Sequence, residues 1–144
     1  MSLPIIGDSL LKLIPQRPPI VMVSSLEEYD EQRLVASFQV EEGKLFVDDC
    51  SLAESGLLEH MAQSVALHTG YSFYLRHEDA PTGYIGAIQK AEIMSLPNIG
   101  DTVYSEVLIR QEFMGVTLVD ITTRLADKVI ATAKMKTVIA ATDT

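Results

Sequence analysis

The sequence predicts an α+β fold in which one long helix is wrapped by an antiparallel sheet. Three observations carry this: a single segment of helical period long enough to cover a sheet, two strand-like runs ahead of it with four behind, and breaks between strands of hairpin length. With 144 residues, 47% hydrophobic and 22% charged, the chain reads as one domain, 1–144. A domain of that size buries about 68–70% of its unfolded surface and needs no disulfide or structural metal. The single cysteine, Cys50, cannot close an internal bridge and suits a reducing compartment.

Taken in order, Gly7 to Ile14 forms a short amphipathic helix that Pro15-Gln16-Arg17-Pro18-Pro19 must end, because prolines remove amide donors and push their predecessors to extended geometry. Ile20-Val21-Met22-Val23 then starts a strand, and Arg33 to Val40 is its hairpin partner across the acidic stretch Glu27 to Gln32. From Ser51 to about Leu75 the period becomes helical, with Leu57, Leu58, Met61, Ala62, Val65, Ala66 and Phe73 on one broad arc. Ser51-Leu52-Ala53-Glu54 has the spacing of a capping box, which starts the helix at Ser51.

Beyond the polar break at 77–83 the chain reads as strands Tyr84 to Met94, Thr102 to Glu112, Val116 to Leu125 and Lys128 to Val138. Their connections, at 97–101, 113–115 and 126–127, suit antiparallel neighbours. In the last strand Val129, Ala131, Ala133 and Met135 alternate with Ile130, Thr132, Lys134 and Lys136, giving one apolar face.

Charge excludes one class of function. Eleven Lys and Arg against 20 Asp and Glu leave a formal charge of −9, the wrong sign for a protein that tracks nucleic-acid phosphates. No window is apolar enough for a membrane span, and the N-terminal residues lack a secretory pattern, so a cytoplasmic location is expected.

Three motifs carry a resemblance. They are Ile14-Pro15-Gln16-Arg17-Pro18-Pro19-Ile20-Val21-Met22-Val23, the helix segment Gly56-Leu57-Leu58-Glu59-His60-Met61-Ala62-Gln63, and Tyr84-Ile85-Gly86-Ala87-Ile88-Gln89-Lys90-Ala91 followed by Pro97 and Gly100-Asp101. They are similar to the Leu-Pro-His-Arg-x-Pro opening, the Glu-x-Met/Leu-Ala-Gln helix and the Gly-Ile-x-Lys strand of the 3-hydroxyacyl acyl-carrier-protein dehydratases. The chain most closely resembles the dehydratase-like branch associated with aryl polyene synthesis.

The resemblance implies a hot-dog fold, a dimer, and action on thioesters of acyl carrier protein or coenzyme A without a cofactor or metal. It matches Glu59 to the family's helix carboxylate. The family's catalytic His, from a Gly-His-Phe-Pro loop of the other subunit, would fall near Leu45; here the loop is Phe46-Val47-Asp48-Asp49-Cys50, and no histidine precedes His60. Gln16 stands where the opening motif has His.

Helical steps of about 100° place Ala62, Gln63, Ala66 and Gly70 on the side of Glu59. Small side chains there leave a groove for an acyl chain, or else let helix and sheet pack closely. Glu59 is then an acid or base whose pKa burial raises, or a solvated edge residue. Gln63, one turn on, orients that carboxylate or is an ordinary polar helix residue. Asp48 supplies a second ionisable group to the Glu59 of another subunit, or caps a turn.

The resemblance assigns a thioester-binding amide to Gly56, although a helix starting at Ser51 would already use that amide internally, and it puts Gly86 beside the substrate. His60, His68 and His77 read as surface or interface residues whose spacing makes no metal site. Cys50 reads as a buried or idle thiol, and Arg17, Lys90 and Arg76 as solvated cations or phosphate contacts. Three functions stay open: a dehydratase, a hot-dog thioesterase using Glu59 or Asp48 to activate water, and a subunit that only binds a carrier or partner. An open sheet edge predicts a homodimer.

Overall fold

The computed structural model describes residues 2–81 and 83–139, with the backbone alone for 83–85. The chain runs β1 (Ile5–Ile6), α1 (Gly7–Leu11), β2 (Ser25–Asp30), β3 (Arg33–Gln39), α2 (Glu54–Leu75), β4 (Gly83–Ile93), β5 (Thr102–Phe113), β6 (Val116–Leu125) and β7 (Lys128–Ile139). The described strands form one sheet in the order β1-β2-β3-β5-β6-β7-β4, and every neighbouring pair is antiparallel.

The sheet's inner face and α2 make the core. Leu34, Ala36, Val103, Val107, Val119, Ile121, Ala131 and Met135 are buried against Leu57, Met61, Val65 and Leu67 of the helix. Each such apolar side chain contributes about 1.5–3 kcal/mol by leaving water. In β7 the predicted alternation holds from Ala131 on, with Ala133 and Met135 buried and Lys134 exposed. Ile130 is buried as well because a bulge opposite Thr123 and Arg124 shifts the register there. Helix α2 is covered around most of its circumference, so it buries polar residues too: His60, Gln63, Ser64 and His68.

Four expectations are corrected. The strand expected at Ile20–Val23 is instead β2, Ser25–Asp30, because the backbone at 20–22 hydrogen-bonds to a side chain of α2 rather than to a strand. Glu27 to Asp30 therefore belong to the strand, and the hairpin turns at Glu31 and Gln32. Helix α1 stops at Leu11, not Ile14.

The capping box does not form: α2 begins at Glu54 with Ala53 as N-cap and no side-chain cap. Ser51 and Leu52 are held extended by bridges to Asn98 and Val47, and Ala53 donates its N–H to the Phe46 carbonyl at 2.8 Å. Finally, β4 and β5 are not neighbours. Residues 94–101 cross beneath the helix start, tied by Leu52 N–H to Pro97 O and Ile99 N–H to Cys50 O, and so β4 pairs with β7 at the sheet edge. None of the helices described is long and apolar enough to cross a membrane.

Candidate active site

A cavity of about 470 Å³ lies beside α2. The helix contributes Glu59, Ala62, Val65, Ala66, Thr69 and Gly70; the turn after α1 contributes Lys12 to Gln16; the loop after α2 gives Asp79 to Pro81, and the end of β7 gives Thr137 to Ile139. The predicted strip of Glu59, Ala62, Ala66 and Gly70 is thus one wall. The other walls come from distant stretches of sequence. Gly70 also lets the chain at Leu13 lie directly on the helix, since a Cβ there would collide with the Leu13 carbonyl.

Arg17 fixes that turn: its Nη1 donates to the carbonyls of Leu11, Ile14 and Gln16 at 3.0, 2.8 and 2.7 Å. The guanidinium therefore serves as a cap for the cavity wall. A second cavity, of about 760 Å³, adjoins the first at Val65, Thr69 and Ile139 and is lined by His68 and Tyr29 among others.

Glu59 is half-buried, and burial pushes its carboxyl above the usual range, an effect opposed by the Gln63 side chain. Lys12 and Asp79 line the cavity as well but are exposed. Gln63 is fully buried, and its main partners lie elsewhere: Oε1 accepts from Met22 N–H and Nε2 donates to Ile20 O, both at 2.7 Å.

Two of the three histidines depart from expectation. His60 is completely buried, with Nδ1 donating to Met22 O at 2.7 Å and Nε2 accepting from the Ser105 hydroxyl at 2.9 Å, which in turn meets Thr123 Oγ1 at 2.6 Å. Desolvation pulls its pKa down to about 4 despite the Met22 carbonyl, so the ring is neutral. His68 is buried too, with Nε2 donating to Asp30 O at 3.0 Å and its pKa lowered by burial. A carbonyl partner lets each ring enter the interior without an orphaned N–H. His77 is exposed.

The remaining candidates lie outside this cavity. Asp48 is exposed and caps a turn, accepting from Cys50 N–H at 2.8 Å and Ser51 N–H at 2.7 Å, bonds that hold its carboxyl below the usual range. Gly56 is buried under Leu52 and Phe46, which leave no room for a side chain. Because α2 starts at Glu54 and the first helical bond runs from Leu57 N–H to Ala53 O, the Gly56 amide precedes the helix's own bonding, and the objection drawn from the capping box is removed.

Gly86 sits at a bulge of β4 opposite Thr137 and Lys136, where an added Cβ would meet the Val138 side chain. Lys90 is ion-paired with Glu92, and Arg76 lies near Glu78 and over the Phe73 ring. Cys50 is exposed rather than buried. Among the described residues no group of three or more His, Cys, Asp or Glu could hold a metal ion. Sequence reasoning missed Gln16 as a cavity residue, although the opening motif contained it.

A family model described as ApeP-like, ApeP dehydratase, matches residues 9–143. The chain belongs to the ApeP-like dehydratase family. No curated protein matches its sequence. Among solved structures, the dehydratase heterocomplex ApeI:P from Xenorhabdus doucetiae is similar with a TM-score of 0.79 at 13% identity, over 98% of this chain and 93% of that one.

The PaaI protein from the phenylacetic acid degradation operon of E. coli gives 0.61 at 15% identity, over 78% and 80%. The smu.793 protein from Streptococcus mutans, solved with acetyl CoA, gives 0.64 at 9%, over 83% and 90%. At these identities the likeness is one of fold. This ApeP-like chain has the hot-dog fold, with α2 enclosed by the curved sheet.

Proposed function

We propose that this ApeP-like chain binds a 3-hydroxyacyl thioester, of acyl carrier protein or coenzyme A, in the cavity beside α2 and removes water to give the 2-enoyl thioester. One observation carries the reading: a half-buried carboxyl with a raised pKa stands at the wall of a cavity whose neighbouring helix positions, Ala62 and Ala66, are small and apolar. A carboxyl that holds its proton closer to neutral pH is suited to protonate the departing hydroxyl. In this scheme Ala62 and Ala66 flank the acyl stem inside the cavity, and the part of the thioester that extends beyond it meets the free Gly56 amide, which polarises the thioester oxygen, and Gly86 of the sheet edge.

Elimination breaks the C2–H bond as well as the C3–O bond, so a base is also required. A second subunit paired along the edge strand β4 is assigned that role. Its own copy is the expected partner, and the heterocomplex neighbour raises a different hot-dog chain as the alternative. Asp48 of a second copy is the candidate this sequence offers; its lowered pKa makes it a weak base.

The alternative is thioester hydrolysis, favoured by the single half-buried carboxyl in the cavity, since activating water needs one base. Incubation with a 3-hydroxyacyl carrier protein and mass spectrometry decides: loss of water supports dehydration, loss of the acyl group supports hydrolysis. Glu59→Gln should lower either activity at least ~10²-fold while carrier binding survives. No change in either product would leave a purely binding subunit.

A further inference from the structure

The Lys12 to Gln16 wall of the cavity has little backbone freedom, because Arg17 binds three of the neighbouring carbonyls and Gly70 brings Leu13 against the helix. Within that frame the Gln16 side chain is anomalous. Among the described residues its Oε1 is the buried side-chain polar atom without a hydrogen-bond partner. A desolvated acceptor left unpaired is as costly as a lost hydrogen bond. Arg17 and Gly70 hold the backbone there, but the terminal torsion of Gln is soft, and Gln16 lines the cavity that also contains Glu59. A hydrogen-bond donor on a ligand there draws the oxygen round to meet it.

An amide acceptor and a carboxylic acid on one cavity match a hydroxyl group, which donates to the first and accepts from the second. A thioester carbonyl has no hydrogen to offer Gln16. We propose that Gln16 is a positioning residue that accepts the hydrogen of the ligand's 3-hydroxyl and so turns the lone pair of that oxygen toward Glu59. The proposal rests on the cavity being a 3-hydroxyacyl site and adds the group that distinguishes a hydroxyacyl from a plain acyl chain. Gln16 takes no proton. Glu59 gives its proton to the hydroxyl oxygen, the C3–O bond breaks, the C2 proton goes to the base of the second subunit, and water leaves with its original hydrogen still directed at Gln16.

The test uses the full chain in a Glu59→Gln background, which blocks turnover and keeps a donor at that position. Calorimetry with 3-hydroxydecanoyl pantetheine and decanoyl pantetheine should show the hydroxy form bound about 5- to 10-fold tighter, the value of one neutral hydrogen bond. Gln16→Met keeps the length of the side chain and loses the acceptor. It should bring the ratio to about 1 with decanoyl affinity within about 2-fold. It should also melt at or above the parent temperature, because Oε1 has no protein partner to lose.

Gln16→Leu serves as a second variant with the same expected ratio. A hydroxyl preference that survives both substitutions, or is absent from the parent, overturns the role of Gln16 and leaves the cavity reading standing. Failure of both thioesters to bind the parent overturns the two together.

Discussion

Lowering the pH from 7 to 4 should destabilise the fold through His60. The ring is wholly enclosed, and both nitrogens are engaged by the neutral form: Nδ1–H toward Met22 O and Nε2 toward the Ser105 hydroxyl. Protonation would put a second N–H against a hydroxyl that is itself committed to Thr123, in surroundings that cannot hydrate the charge. The folded pKa is about 4 against the ordinary 6.5. Between these values the unfolded chain binds a proton that the folded chain refuses, so stability is full above 6.5 and falls with the pH. The slope approaches about 1.4 kcal/mol per pH unit and the total is about 3 kcal/mol.

His68, also lowered by burial, acts in the same direction, whereas Glu59, raised by burial, gains stability on acidification. Urea unfolding of wild type and His60→Gln at fixed protein concentration, from pH 7.5 to 4.5, isolates the contribution of this ring. The stability advantage of the wild type should shrink by about 1.4 kcal/mol per unit once below 6.5. Imidazole NMR on the wild type checks it without a variant. A His60 signal titrating near 6.5 in folded protein would refute the reasoning, as would an advantage that does not change with pH.

Other predictions follow from the cavity wall. Gly70→Ala should cost at least ~2 kcal/mol in chemical denaturation, because the new Cβ meets backbone at Leu13 rather than a movable side chain. Arg17→Ala should cost only about 1 kcal/mol, the guanidinium being exposed, yet raise amide hydrogen exchange at Leu13 and Ile14. In the wild type the rate should fall as the pH rises through the Glu59 titration, above the ordinary carboxylate value of 4.5, because the protonated acid is the active form; in the residual activity of the Glu59→Gln protein that limb should disappear.

The parts of the fold that sequence made legible are those set by local pattern. The strands β5 to β7 follow from alternation and two-residue turns, and the Glu59, Ala62, Ala66 strip from helical steps. What escaped was set by partners far along the chain. Ile20 to Val23 has strand composition, but its polar groups meet Gln63, some 40 residues later. The capping box at Ser51 lost to a bridge with Asn98. His60 looked like a surface residue because its acceptor at Met22 and its donor at Ser105 come from two separate segments. The position of β4 beside β7 depends on a crossing that no local period encodes. The same holds for the site, where one wall was readable and Lys12 to Gln16 and Thr137 to Ile139 were not.

The clamp that Gln63 places on residues 20–22 has a consequence for solubility. Ile20-Val21-Met22-Val23 is uncharged, β-prone and followed by no proline for many residues, the profile of a segment that recruits other chains into intermolecular ribbons. With its Met22 amide and Ile20 carbonyl taken by a buried carboxamide, the stretch offers those two groups to no incoming strand. Gln63 thus takes up two of the polar groups through which that stretch would pair, as well as bracing the folded state.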